Sequence, residues 1–275
     1  EDLCFFKEVW VAESRSAIAP LSSQGTLAKN AYLGFFFNET FTEFDNATDA
    51  IKHFDLNYIG LDMNVERGGN NQKKFILKPK GSNYSSFELR HASSGIQTTA
   101  PLIAMMNYYA QAFDFKLAQK RSIIDLLFEK NLTTQYRPEM ELTDMPKYVH
   151  IHIEEPELSL DPTSQIQMLN EIIRLAFYSK VDSREIGLVL ATHSPYIINS
   201  LNLLMKAHDC KTDIDGAHVG YDDLSVYQIL SGGVADLKVK NIHYVNTDRL
   251  SEDINNIYDK YQELKQLQNE ESLGK

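Results

Sequence analysis

The 275-residue chain is 43% hydrophobic and 24% charged, the balance of an ordinary globular protein that can bury one sizeable core in one or two domains. A formal net charge of −11 argues against a surface dedicated to coating nucleic acid. Two cysteines, Cys4 and Cys210, are too few for a disulfide framework, and no apolar run approaches the roughly 20 residues that cross a bilayer. No signal peptide is visible, so a reducing cytoplasm and no membrane partner are expected.

In chain order, Phe5 to Ala12 predicts a short strand, followed by loop-like ESRSAIAPLSSQG. Aromatic residues at helical spacing, Tyr32, Phe36 and Phe37, then Phe41 and Phe44, predict packing into the core. Gly68-Gly69-Asn70-Asn71 marks a turn. KKFILKPKG then reads as a strand, and Phe87 to His91 as its hairpin partner. Lys74, Lys78 and Lys80 share one face of that strand. They could contact phosphate, but the simpler expectation is a solvated edge kept from aggregating by lysine.

Ala92-Ser93-Ser94-Gly95-Ile96-Gln97 comes directly before a helical pattern carried by Leu102, Met105, Met106 and Tyr109, with Pro101 fitting the first turn. That spacing puts Ser94 and Gly95 at or just before a helix N-terminus, where free amides and the dipole attract anions. Residues 110–147 predict a helical part and then a polar loop.

Val149 to Ile153 reads as a strand that ends in adjacent carboxylates, Glu154 and Glu155, before Pro156 turns the chain. Asp161 suits the N-cap of the next helix, with Pro162 at its first position. Ile166, Leu169, Ile172, Ile173 and Ala176 form its apolar stripe. This predicts a right-handed strand–helix–strand crossover to Leu188–Ala191, which ends in Thr192-His193-Ser194-Pro195. Beyond Asn202, Asp222–Leu230 and Val239–Val245 read as strands around a Ser231-Gly232-Gly233 turn. Ile254, Ile257, Tyr258, Tyr261, Leu264 and Leu267 give a last amphipathic helix, expected to pack on the domain.

Over roughly residues 85–205, these motifs resemble those of the ABC-type ATPases, in the soluble SMC/RecF/OLD-like branch. SSGIQ is similar to that superfamily's LSGGQ signature, with Ser94, Gly95 and Gln97 matching and Ile96 replacing the second glycine. IEEPELSLDP resembles the Walker B and D-loop run, and ATHSP the switch-histidine loop. The resemblance implies an α/β P-loop NTPase fold: a parallel sheet flanked by helices, with a helical insertion after the signature. The chain would then divide into a lead-in (1–91), signature and helix (92–109), insertion (110–147), Walker B, D-loop and switch core (148–205) and a carboxyl-terminal part (206–275).

It further implies an ATP- and Mg2+-dependent hydrolase that works as a dimer of ATPase heads. Glu154 would stand on the metal side, acting through water, and Glu155 would be the base or water-orienting residue. His193 would sense the γ-phosphate, with Thr192 and Ser194 shaping its loop. Ser94, Gly95 and Gln97 would meet the partner's nucleotide, and Asp161 would couple the two sites. DNA, or a nuclease or toxin partner, is compatible with such relatives and selected by nothing in the residues.

The sequence contains no G-x-x-x-x-G-K-[ST] run to grip the β- and γ-phosphates. The expectation is therefore the carboxyl-terminal portion of an ATPase, inactive by itself. A non-hydrolysing, nucleotide-sensing dimerisation module is the alternative. A more distant one is a metal-dependent hydrolase using His150 and His152, which share a strand face.

Overall fold

The computed structural model of the chain describes residues 5–22, 34–68, 72–81, 84–129, 146–239 and 241–273. Cys4, Tyr32, residues 69–71 of the glycine turn and the polar loop over 130–145 lie outside the described residues. The chain divides into two compact units, one of residues 1–192 with 215–217, the other of residues 193–214 with 218–275.

The first unit is mixed α/β, with a parallel three-stranded sheet flanked by helices. Its strands are β1 (Phe5–Val11), β6 (Lys147–Glu154) and β7 (Arg184–Ala191), with β6 in the centre. The register pairs Trp10 with His152 and Val11 with Ile153 on one side of β6, and Ile153 with Leu190 and Glu154 with Ala191 on the other. One face of this sheet is core: Val9, Val11, Val149, Ile151 and Ile153 are buried. The other carries Phe6, Trp10, His150, His152 and Val189. There Trp10 stacks on His152, and Phe6 meets the edge of His150.

Helix α1 (Ile18–Ser22) leads out of β1. Helix α2 (Phe35–Ala50) packs on β1, and Thr40 joins the two by accepting from Ala12 N (3.0 Å). Phe37 and Phe44 enter the core as the spacing predicts, whereas Phe36 lies half exposed beside Trp10, because only one side of α2 meets the sheet.

A second, antiparallel sheet has the order β2 (His53–Leu56), β3 (Leu61–Arg67), β4 (Lys73–Pro79), β5 (Phe87–Glu88). The predicted hairpin exists, but β5 is only two residues long before a 3-10 turn over Leu89–His91. The strand lysines face carboxylates: Lys74 stands opposite Glu66, and Lys78 opposite Asp62.

Helix α3 (Ser94–Asn107) is buried almost throughout from Thr98 to Met106 and packs on α2, β2 and the later helix α5. It begins at Ser94, which puts Pro101 in its interior rather than its first turn. A π-helical turn over Tyr108–Ala112 ends it. The helical part expected after Ala110 is α4 (Phe115–Glu129). After β6, helix α5 (Pro162–Ile173) buries Met168, Leu169, Ile172 and Ile173 and returns the chain to β7, the parallel crossover that the apolar stripe predicts.

The second unit holds α6 (Pro195–Asp209), capped by the Ser194 side chain, and an antiparallel hairpin of β8 (Tyr227–Leu230) with β9 (Gly233–Asp236). A short pair follows, β10 (Lys238–Val239) and β11 (Tyr244–Val245). The two predicted strands are thus shorter and more broken than their apolar runs suggest. Asn202 on α6 exchanges hydrogen bonds with the Val245 backbone, at 2.8 and 3.0 Å. Helix α7 (Asp248–Leu273) leaves Ile257, Tyr258, Tyr261 and Leu264 at least 60% exposed, so these four residues of the stripe do not pack on the domain as expected.

Candidate functional site

The carboxyl end of β6 carries the two predicted acids. Glu154 is the last strand residue, in the final ladder pair with Ala191, and is exposed. Glu155 leaves the strand in the left-handed region (φ +41°), and Ser159 repeats that conformation (φ +64°). A turn bounded by two non-glycine left-handed residues is strained, on the order of 1–3 kcal/mol each, and persists only where its surroundings hold it.

Three kinds of contact hold this one. Glu155 N donates to Ala191 O at the end of β7 (2.8 Å), and Leu158 N closes the turn on Glu155 O (3.0 Å). The Glu157 carboxylate accepts from Thr192 Oγ1 (2.7 Å), tying the turn to the residue that follows β7. Arg15, from the 3-10 turn after β1 (Glu13–Ala17), donates from Nη1 to Ala12 O (3.0 Å) and Glu154 O (2.6 Å), and from Nη2 to Glu155 O (2.5 Å). Burial pushes its guanidinium down to about 10, against the opposing pull of the Glu157, Glu155 and Glu154 charges, so Arg15 stays cationic at neutral pH. Neither Arg15 nor Glu157 stands out in the sequence. Their importance arises from pairings across more than 30 residues, for which no local pattern exists.

Asp161 caps α5 as predicted, accepting from Thr163 N (3.0 Å), Ser164 N (3.2 Å) and Ser164 Oγ (2.5 Å). The Ser164 hydroxyl, then the backbone amides, hold its carboxyl below the ordinary 3.8.

Ser94 is exposed at the first residue of α3, and Gly95 is buried behind it. A Cβ on Gly95 would lie 2.8 Å from Ser159 O and 2.9 Å from Leu160 Cδ2, so this glycine abuts the loop that follows the two acids. Gln97 gives its side-chain amide to Arg90 O (3.0 Å) and Ala92 O (2.8 Å), fastening the loop that leads into the helix. His193 is exposed and opens the second unit, directly after Thr192. The structure therefore brings together Gly95, Glu155, Asp161 and the end of β7 within the first unit.

His152 is taken up by Glu8 (2.7 Å) and Trp10, while the His150 ring lies over Gly187. Among the described residues, three donor side chains close enough to share an ion occur at His53, Asp55 and Asp62. Lys80 already supplies a cation there, with Nζ 2.6 Å from Asp55 and 3.1 Å from Asp62. A cavity of about 140 Å³ lined by Lys73, Phe75, Leu89 and Arg90 shares no residue with the acidic turn, and its Lys73 is held by Asp45. Among the described residues no helix is long and apolar enough to cross a membrane. No protein-family model matches the chain, and no curated protein matches it either.

Proposed function

We propose that the chain forms part of an ABC-type, SMC/RecF-like ATPase with a P-loop NTPase fold, and that the turn after β6 is its hydrolytic centre. The observation that carries this reading is the contact of Gly95 with Ser159 and Leu160. Two motifs separated by about sixty residues of sequence, each suggestive by itself, meet at one end of one parallel sheet. Functional groups of open α/β sheets collect at the carboxyl ends of the strands, where β6 presents Glu154 and Glu155.

Hard carboxylate oxygens on an exposed strand end suit Mg2+, which keeps several waters and takes few protein ligands. Glu154 would hold the ion through water, and when bound the ion would neutralise charge on the transferred phosphoryl group. Glu155 would accept the proton of the attacking water, or orient it, from a carboxylate fixed by the turn. Ser94 Oγ and the free amides at the start of α3 would meet the γ-phosphate of a nucleotide held by a second head, in an ATP-dependent dimer. His193 would sense or stabilise the γ-phosphate undergoing hydrolysis. With no phosphate loop in these residues, the grip on the β- and γ-phosphates comes, in this reading, from polypeptide outside them.

Glu155→Gln tests the reading in the protein assembled with its phosphate loop. ATP turnover should fall at least about 100-fold, the lower end of the range for removing general-base catalysis, while ATP binding persists. Undiminished turnover would remove Glu155 from the mechanism.

A further inference from the structure

We infer that Arg15 is the positioning residue of the acidic turn: its forked guanidinium aims the Glu154 and Glu155 carboxylates by gripping their main-chain carbonyls, without touching nucleotide. The inference rests on the ATPase reading for its catalytic consequence, but not for its geometry.

A fully buried arginine is unusual, because taking its charge out of water is costly unless its donors are well met. Here the hydrogen bonds go to the carbonyls of Ala12, Glu154 and Glu155, while the nearby glutamate carboxylates act on it as charges. The planar fork suits that task. Nη2 reaches the carbonyl of the peptide unit that follows Glu155, and Nη1 reaches that of the unit between Glu154 and Glu155, fixing the latter plane from one side. Ala191 O fixes the same plane from the other side, through Glu155 N.

This is the peptide unit that enters the left-handed residue Glu155, where the backbone would otherwise relax. Because Arg15 follows β1, the hydrogen-bonded neighbour of β6, its anchor is the sheet itself rather than the loop it controls. Lysine at this position would keep the charge but lacks the planar fork that directs two separate N–H groups, at fixed spacing, to the two carbonyls, so it would hold the turn less rigidly.

The test compares the wild type with Arg15→Lys. Emission of Trp10, the sole tryptophan, stacked on His152, reports an intact β1–β6 pairing and so a folded variant. Amide hydrogen exchange is measured on the 275-residue chain, and steady-state turnover on the protein assembled with its phosphate loop. The expected result for folded Arg15→Lys is exchange over residues 154–161 at least about tenfold faster with the rest unchanged. With it comes a kcat lower by about 10- to 100-fold, the usual effect of losing a supporting contact, at an unaltered KM for ATP.

Unchanged exchange over 154–161, or acceleration spread evenly along the chain, would overturn the inference whatever the activity. So would an unaltered kcat. Faster local exchange together with a wild type that hydrolyses no ATP would support the grip on the turn and sink the ATPase reading. Should Arg15→Lys fail to fold, Arg15→Gln, whose amide can serve one carbonyl, undergoes the same measurements.

Discussion

The main-chain oxygen of Ser159 lies 2.8 Å from the place that a methyl group on Gly95 would occupy. This proximity joins the start of α3 to the end of the acidic turn, and the partner atom is backbone, which cannot swing aside as a side chain does. Gly95→Ala should therefore destabilise the protein by about 1–3 kcal/mol, as overpacking of well-filled sites does. Urea denaturation checks the value, and a change of under about 0.5 kcal/mol would mean that the two segments separate freely.

Thr192→Val removes the hydroxyl that donates to Glu157 while keeping the side-chain shape. The expected loss is about 1–3 kcal/mol, since a charged acceptor at a half-buried site loses its donor. Thr192→Ser keeps the donor and should retain most of the stability, a comparison that chemical denaturation of both variants makes directly.

Tyr109 donates to Glu43, which is also paired with Lys7 Nζ at 2.8 Å. Burial and the Glu43 charge raise the tyrosine well above its ordinary value, so it remains a donor at every physiological pH. Tyr109→Phe should cost about 1.5–3 kcal/mol, the range for a hydrogen bond to a charged group. Equal urea midpoints for the variant and the wild type would refute this.

Asp161 gives a pH-dependent signature. Its folded carboxyl titrates below the ordinary 3.8, so its stabilisation is complete above that value and is lost as pH falls through the depressed one. Asp161→Asn keeps a capping acceptor but cannot titrate. The wild type should therefore be the more stable at pH 7, with the gap in unfolding temperature closing below about pH 5. A gap independent of pH would exclude the carboxylate as its source.

Much of this arrangement is legible in the residues because it is local. The alternation through β6, the Asp161-Pro162 helix start and the apolar stripe of α5 fix their elements without outside help. Pro101 misleads for the opposite reason. Proline favours a first helical turn, but the buried face running from Thr98 to Met106 continues the helix through it. The Tyr109–Glu43, Arg15–Glu154 and Glu157–Thr192 pairs span 66, 139 and 35 residues, and nothing in any single window announces them. The final helix misleads again: its apolar spacing is real, yet Ile257 and Leu264 face water. Periodicity identifies a face without saying what meets it.

The left-handed backbone at positions 155 and 159 narrows what a library of variants could hold there, quite apart from catalysis. Glycine and asparagine tolerate such dihedrals, whereas valine and isoleucine clash with their own main chain. A saturation screen for soluble expression should therefore enrich Gly and Asn and deplete Val and Ile at both codons. That ranking would follow chain geometry rather than polarity.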